Sequence, residues 1–71
     1  MKLYFYPDKG EQKLIFEITS DCAPNIGDTL IIYSTGYIVV KKTFYYNDST
    51  HCCLLHLDKV NTENKPEKIK L

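Results

Sequence analysis

Arginine is missing from this 71-residue chain, and nine lysines alone balance nine aspartates and glutamates. The guanidinium fork is the group that most often reads guanine edges and clamps phosphates bidentately, so its absence argues against readout of double-stranded DNA. Zero net charge leaves no overall field to draw in nucleic acid or an anionic membrane. No apolar run approaches the length that spans a bilayer. The opening Met1-Lys2-Leu3-Tyr4-Phe5-Tyr6-Pro7-Asp8 reaches charge and a turn too early to hold a signal-peptide core, so a cytoplasmic protein is expected. Cysteines number only three, Cys22, Cys52 and Cys53. The odd count, and a Cys-Cys pair that points to opposite faces of a strand, suggest no disulfide framework and predict reduced thiols. Glycines are equally few, and Gly10, Gly27 and Gly36 each fall at a turn in the reading that follows.

A hydrophobic fraction of 44% with 25% charged residues is enough for a folded chain, and the length allows one domain with a barely sufficient core. The stretch Thr29 to Tyr46, TLIIYSTGYIVVKKTFYY, organises it. Two β-branched and aromatic runs flank Ser34-Thr35-Gly36, which reads as the three-residue loop of a central hairpin. That loop sets Tyr33 opposite Tyr37, Ile32 opposite Ile38, Ile31 opposite Val39 and Leu30 opposite Val40. One face is then Leu30, Ile32, Ile38 and Val40, the other Ile31, Tyr33, Tyr37 and Val39. Neither is polar, so something must cover the second face: the rest of a barrel, the C-terminal segment, a second copy or a partner.

Before the hairpin, Lys2 to Tyr6 alternates as an amphipathic strand with Leu3 and Phe5 inward and Tyr4 and Tyr6 outward. Pro7-Asp8-Lys9-Gly10 is turn chemistry, and Lys13 to Ile18 alternates again, with Leu14, Phe16 and Ile18 inward and Ile15 outward. Thr19 to Asp28 is the longest connection, in which Pro24 and Gly27 mark bends and Asp28 caps backbone N–H groups ahead of the next strand. After the hairpin, a four-residue loop at Asn47-Asp48-Ser49-Thr50 sets Phe44 opposite Cys53 and Val40 opposite Leu57. Cys53, Leu55 and Leu57 then face inward and Leu54, His56 and Asp58 outward. Lys42 falls on the inner face opposite Leu55; a β-bulge near Lys41 and Lys42 is expected to resolve this, the alternative being a lysine that snorkels at a barrel mouth. Residues 1–60 therefore read as a small β-barrel domain and 61–71, NTENKPEKIKL, as a flexible polar tail, with a short edge strand over Lys68 to Leu71 as the alternative.

Pro24, Gly27 and Asp28, followed by an apolar strand, a glycine turn and Tyr37-x-Val39, resemble the opening of small SH3-like β-barrels and short uncharacterised bacterial and phage proteins. The resemblance covers about a quarter of the chain and implies a fold, and by analogy an accessory role in a phage or mobile element or inhibition of a host protein. The expected fold is all-β, a five-stranded antiparallel meander curled into a small SH3-like or partly open barrel.

His51-Cys52-Cys53-x-x-His56 is the most chemical-looking cluster. On a strand, however, Cys52 and His56 lie about 13 Å apart at roughly 3.3 Å per residue, too far to share a metal, while Cys53 faces the core. No nucleophile elbow, phosphate-cradling glycine loop or facing pair of carboxylates accompanies it, so no enzyme, metal or cofactor is expected. The tyrosines are the stronger lead. Tyr4, Tyr6, Ile31, Tyr33, Tyr37 and Val39 form an outward face of the kind enriched at interfaces, which predicts a non-catalytic module binding a protein partner or its own copy as an oligomer. The alternative is single-stranded nucleic acid, its bases stacked on the same face and its phosphates met by Lys13, Lys41 and Lys42.

Overall fold

The computed structural model describes residues 1–47 and 50–60, and the expected flexible tail over 61–71 lies outside them. Five strands form: β1 (Lys2–Pro7), β2 (Phe16–Thr19), β3 (Thr29–Ile32), β4 (Thr35–Tyr46) and β5 (His51–Lys59). They make one sheet of order β2-β1-β5-β4-β3, curled into an open half-barrel. The all-β class and the partly open barrel are as expected; the purely antiparallel meander is not. β1–β2, β3–β4 and β4–β5 pair antiparallel, but β1 pairs with β5 in parallel, and β2 and β3 are the two edges of the sheet.

The concave face carries the core. Leu3 and Phe5 of β1 meet Cys53, Leu55 and Leu57 of β5, and Val39 and Ile32 complete the cluster, with Met1, Ile15, Phe16, Ala23, Leu30 and Tyr37 packed around it. β5, flanked on both sides, contributes the most completely enclosed side chains, as its alternation requires. β2 is shorter than its pattern suggested. The Ile15 N–H reaches the Phe5 carbonyl at 2.8 Å, so Ile15 turns toward the core instead of outward and Leu14 is left exposed.

The central hairpin adopts a different register from the expected one. Its turn is the two-residue Tyr33-Ser34, with φ of 50° and 70°, and Ile32 pairs with Thr35, Ile31 with Gly36, Leu30 with Tyr37 and Thr29 with Ile38. Two central residues of positive φ give a hairpin turn whose twist matches that of the strands, at a cost of roughly 1–2 kcal/mol for each non-glycine residue held there. Packing outweighs that cost, because an odd shift of register exchanges the faces of a strand. Tyr37 and Val39 therefore lie on the concave face, Val39 only 1% exposed, which corrects their expected outward placement. Gly36 sits inside β4, where its carbonyl accepts the Val60 N–H.

A bulge does interrupt β4, one residue earlier than expected. Val39 opposes Leu57 and Lys41 opposes His56, leaving Val40 as the extra residue. Beyond it Lys42 opposes Leu55 and Phe44 opposes Cys53, so Lys42 keeps its concave position. It resolves the conflict by reaching the rim: Nζ donates to Asn25 Oδ1 at 3.0 Å and lies 5.4 Å from the Phe44 ring centroid. The β2–β3 connection braces the same point. Asn25 to Asp28 forms a turn with Gly27 at φ 97°, closed by the Asp28 N–H to the Asn25 carbonyl at 3.0 Å and by the Asn25 N–H to Asp28 Oδ2 at 2.7 Å. Its Gly27 N–H donates to the Val39 carbonyl, and the Val39 N–H to the Asp28 carbonyl.

Because Ser34 holds a left-handed conformation, glycine there relieves strain at the second central position of the turn. Ser34→Gly is expected to stabilise the domain by about 0.5–1 kcal/mol after the entropy cost of the glycine, raising Tm by roughly 2–8 °C in thermal denaturation. An unchanged or lower Tm contradicts this account of the turn.

Candidate functional site

Among the described residues, β2 and β3 do not pair with each other, and the seam between them is the open side of the half-barrel. An antiparallel ladder uses the N–H and C=O of alternate residues, so each edge strand presents the remainder outward. On β2, Met1 and Ser20 exchange backbone bonds, which assigns Ile18 to β1 and leaves the backbone groups of Glu17 and Thr19 on the free edge. On β3, the bond from Val39 to Asp28 assigns Leu30 and Ile32 to β4 and leaves those of Thr29 and Ile31 free. At one end of the seam the rings of Phe16 and Tyr33 meet edge to face at 5.7 Å between centroids. At the other, the Ser20 to Asp28 connection carries the chain across.

Exposed apolar side chains gather along this seam. Of the eight large ones among the described residues, Leu14 and Ile18 lie on or beside β2, and Ile26, Ile31 and Tyr33 lie on or beside β3. Ile31 is 64% and Tyr33 79% exposed. The two edges differ in charge. β2 contains Glu17, 3.5 Å from Lys2, whereas β3 reads Thr-Leu-Ile-Ile with no charged residue, no proline and no bulge, and its shortness is its one protection as an edge.

The six residues expected to form one interface are divided by the fold. Ile31 and Tyr33 flank the seam. Tyr4 and Tyr6 stand half-buried on the convex face of β1, beside Leu54 and His56, with the rings of Tyr6 and His56 6.5 Å apart. Tyr37 and Val39 belong to the concave side. The seam has no signature in strand alternation because it depends on the parallel β1–β5 pair; the uncharged run of Thr29 to Ile32 is its one local sign.

The other three exposed apolar side chains, Phe44, Tyr45 and Tyr46, sit at the far end of the β4–β5 hairpin. Phe44 stacks on Tyr46 at 6.2 Å and 18°, and Tyr46 on His51 at 6.1 Å and 30°, with the Lys42 ammonium at the Phe44 end. Lys41 projects on the opposite face, opposite His56.

The cysteine and histidine cluster is dispersed. Cys53 is buried in the core, Cys52 half-buried on the convex face and Cys22 exposed. His56 shares the convex face with Cys52, and its Nδ1 is enclosed without a hydrogen-bond partner. Among the described residues no three metal-ligating side chains converge, no pocket is enclosed, and no helix is long and apolar enough to cross a membrane.

Burial pushes the Cys53 thiol above its ordinary value, against a smaller opposing pull from Lys42, and the neighbouring Cys52 adds to the rise. A thiol raised on folding stabilises the protein fully below its unfolded value of 9.0 and loses that contribution as pH climbs through the folded one. Wild type is therefore expected to lose stability relative to Cys53→Ala as pH rises beyond 9.0 in denaturant titrations; parallel curves contradict the assignment. In the native protein at neutral pH, alkylation is expected at Cys22 first and at Cys53 only on unfolding.

Comparison with known proteins finds no family, no curated protein and no solved structure that matches this chain.

Proposed function

We propose that this protein is a non-catalytic interaction module that receives an extended segment of a partner protein along the seam between β2 and β3. The observation that carries the reading is the coincidence of unpaired backbone with exposed apolar side chains. Thr29 and Ile31 offer two outward N–H groups and two carbonyls, and Ile26, Ile31 and Tyr33 surround them. Strand addition draws affinity from main-chain hydrogen bonds and specificity from alternate side chains, and the seam supplies both. A small SH3-like accessory protein of phage or mobile-element origin, occupying such a strand of a host protein, is the form this function takes if the sequence resemblance is followed. Tyr4 and Tyr6 lie on the convex face away from the seam and extend the contact only if the partner wraps β1.

A capped hexapeptide of alternating valine and threonine, an uncharged extended strand, serves as the test ligand. Titrated into the isotope-labelled protein, it is expected to shift the amide resonances of Thr29 and Ile31 and to lose at least tenfold in affinity against Ile31→Lys, whose charge guards the edge. If resonances of both edges stay unmoved while the protein is folded, strand addition is refuted.

The stacked Phe44, Tyr46 and His51 rings favour a second reading, a platform for bases of single-stranded nucleic acid with Lys42 near the phosphates and Lys41 on the opposite face. Stacking is worth about 1–3 kcal/mol per base, so Tyr46→Ala is expected to weaken oligothymidylate binding about tenfold or more. With Lys42 alone beside the rings, the salt dependence is shallow. Absence of binding at low salt rejects it.

A further inference from the structure

We infer that the occupant of the β3 edge is the β3 edge of a second copy of this chain, in a two-fold antiparallel dimer centred on Leu30. This rests on the seam being a strand-addition site and goes further by naming the partner and the register.

Three symmetric registers bring outward-facing β3 residues together. Centring on Ile31 places Thr29 opposite the partner copy's turn residue Tyr33, which at φ 50° is not extended and cannot continue a ladder. Centring on Thr29 places Ile31 opposite Gly27, whose N–H already serves the Val39 carbonyl. Centring on Leu30 pairs Thr29 of each copy with Ile31 of the other. Every outward N–H and C=O of β3 is then used, in four backbone hydrogen bonds, and Leu30 meets its own symmetry mate on the concave side.

The side chains agree with that register. Tyr33 of one copy comes to lie against Gly27 of the other, where a Cβ would meet nothing within 4 Å, so no neighbouring atom crowds that backbone. Asp28, the nearest charge, stands opposite Ile32 and meets no like charge. The same pairing at β2, centred on Ile18, would set Glu17 of each copy opposite Thr19 and diagonal to the other Glu17, placing two carboxylates on one edge, whereas the β3 edge carries no charge. Entry of the second strand requires the Tyr33 ring to leave Phe16, a single edge-to-face contact.

The extent of the surface sets the strength. Ile26, Ile31 and Tyr33 with four residues of strand backbone make a contact far smaller than the roughly 20–30 residues that each partner contributes to a standard stable complex. The dimer is accordingly weak and is sought at high protein concentration.

Sedimentation equilibrium of the full chain from about 10 µM to 1 mM, with Thr29→Pro and Ile31→Lys beside the wild type, tests this. Thr29 is the first residue of β3 and its N–H faces outward, so proline removes an interface donor without touching the β4 ladder. Ile31→Lys alters a side chain already in solvent. The expected result is a wild-type mass that doubles with concentration, and two folded variants that stay monomeric at concentrations where at least half the wild type is paired. A dimer that persists unchanged in Ile31→Lys overturns the inference, as does a wild type that remains monomeric at 1 mM. In the monomeric case the valine–threonine hexapeptide separates the two readings: shifts at Thr29 and Ile31 retain the seam as a site for foreign strands, and silence there removes both.

Discussion

Strands that alternate in direction around a ring of five return with the first and the last pointing the same way, so a five-membered ring needs at least one parallel pair. Here β1 and β5 supply it, with Lys2 to Pro7 aligned against Cys52 to Leu57. Parallel pairing is slightly weaker per residue than antiparallel, and it joins the two ends of the domain at the largest possible loss of chain freedom. Its return is burial. It places β5 between two neighbours, so that Cys53, Leu55 and Leu57 are covered from both sides and the core of a very small domain is concentrated on one strand. With four of the five ring pairs made, the unmade one falls between β2 and β3, and the open edge of the molecule follows from that choice.

The bulge at Val40 is the second joint on which the fold turns. Before it, concave residues of β4 are Tyr37 and Val39; after it, Lys42 and Phe44. A strand of twelve residues cannot follow the curl of a small half-barrel without such a bend. The Asn25 to Asp28 turn seats itself on the bend through Gly27, Asp28 and the Lys42 to Asn25 hydrogen bond. One short connection thus does three things: it covers the irregular stretch of β4, it accepts a hydrogen bond from the polar end of an inward lysine, and it carries the chain over the end of the seam.

Much of this architecture was legible in the residues. The inward set of β1 and β5, the turns at Gly10 and Gly27, the capping role of Asp28 and the facing of Phe44 with Cys53 all follow from alternation and turn chemistry, which are local. What was not legible is non-local or a close contest. The Ser34-Thr35-Gly36 loop was the better local choice, since glycine takes a left-handed conformation freely, yet the chain puts Tyr33 and Ser34 there because the register that buries Ile32 and Val39 together gains more than two strained residues cost. From that one shift comes the misplacement of Tyr37 and Val39 in the expected interface. The parallel pair leaves no signature in periodicity at all, and so neither did the seam.

The seam is open for a reason that lies in the same residues. Zipping β2 to β3 would require β3 to turn the backbone of Thr29 and Ile31 toward Glu17 and Thr19. The connection between them, however, is held to β4: Gly27 and Asp28 bond to Val39, and Asn25 to Lys42, which ties the start of β3 to the bulge. At the other end two aromatic rings, not a ladder, bridge the gap. The contacts that steady the bend of β4 all lie on the β4 side of β3 and take no part in its outer edge. The domain stabilises its curvature with that one set of hydrogen bonds, and the apolar side chains of Ile26, Ile31 and Tyr33 stand along the edge the set does not use.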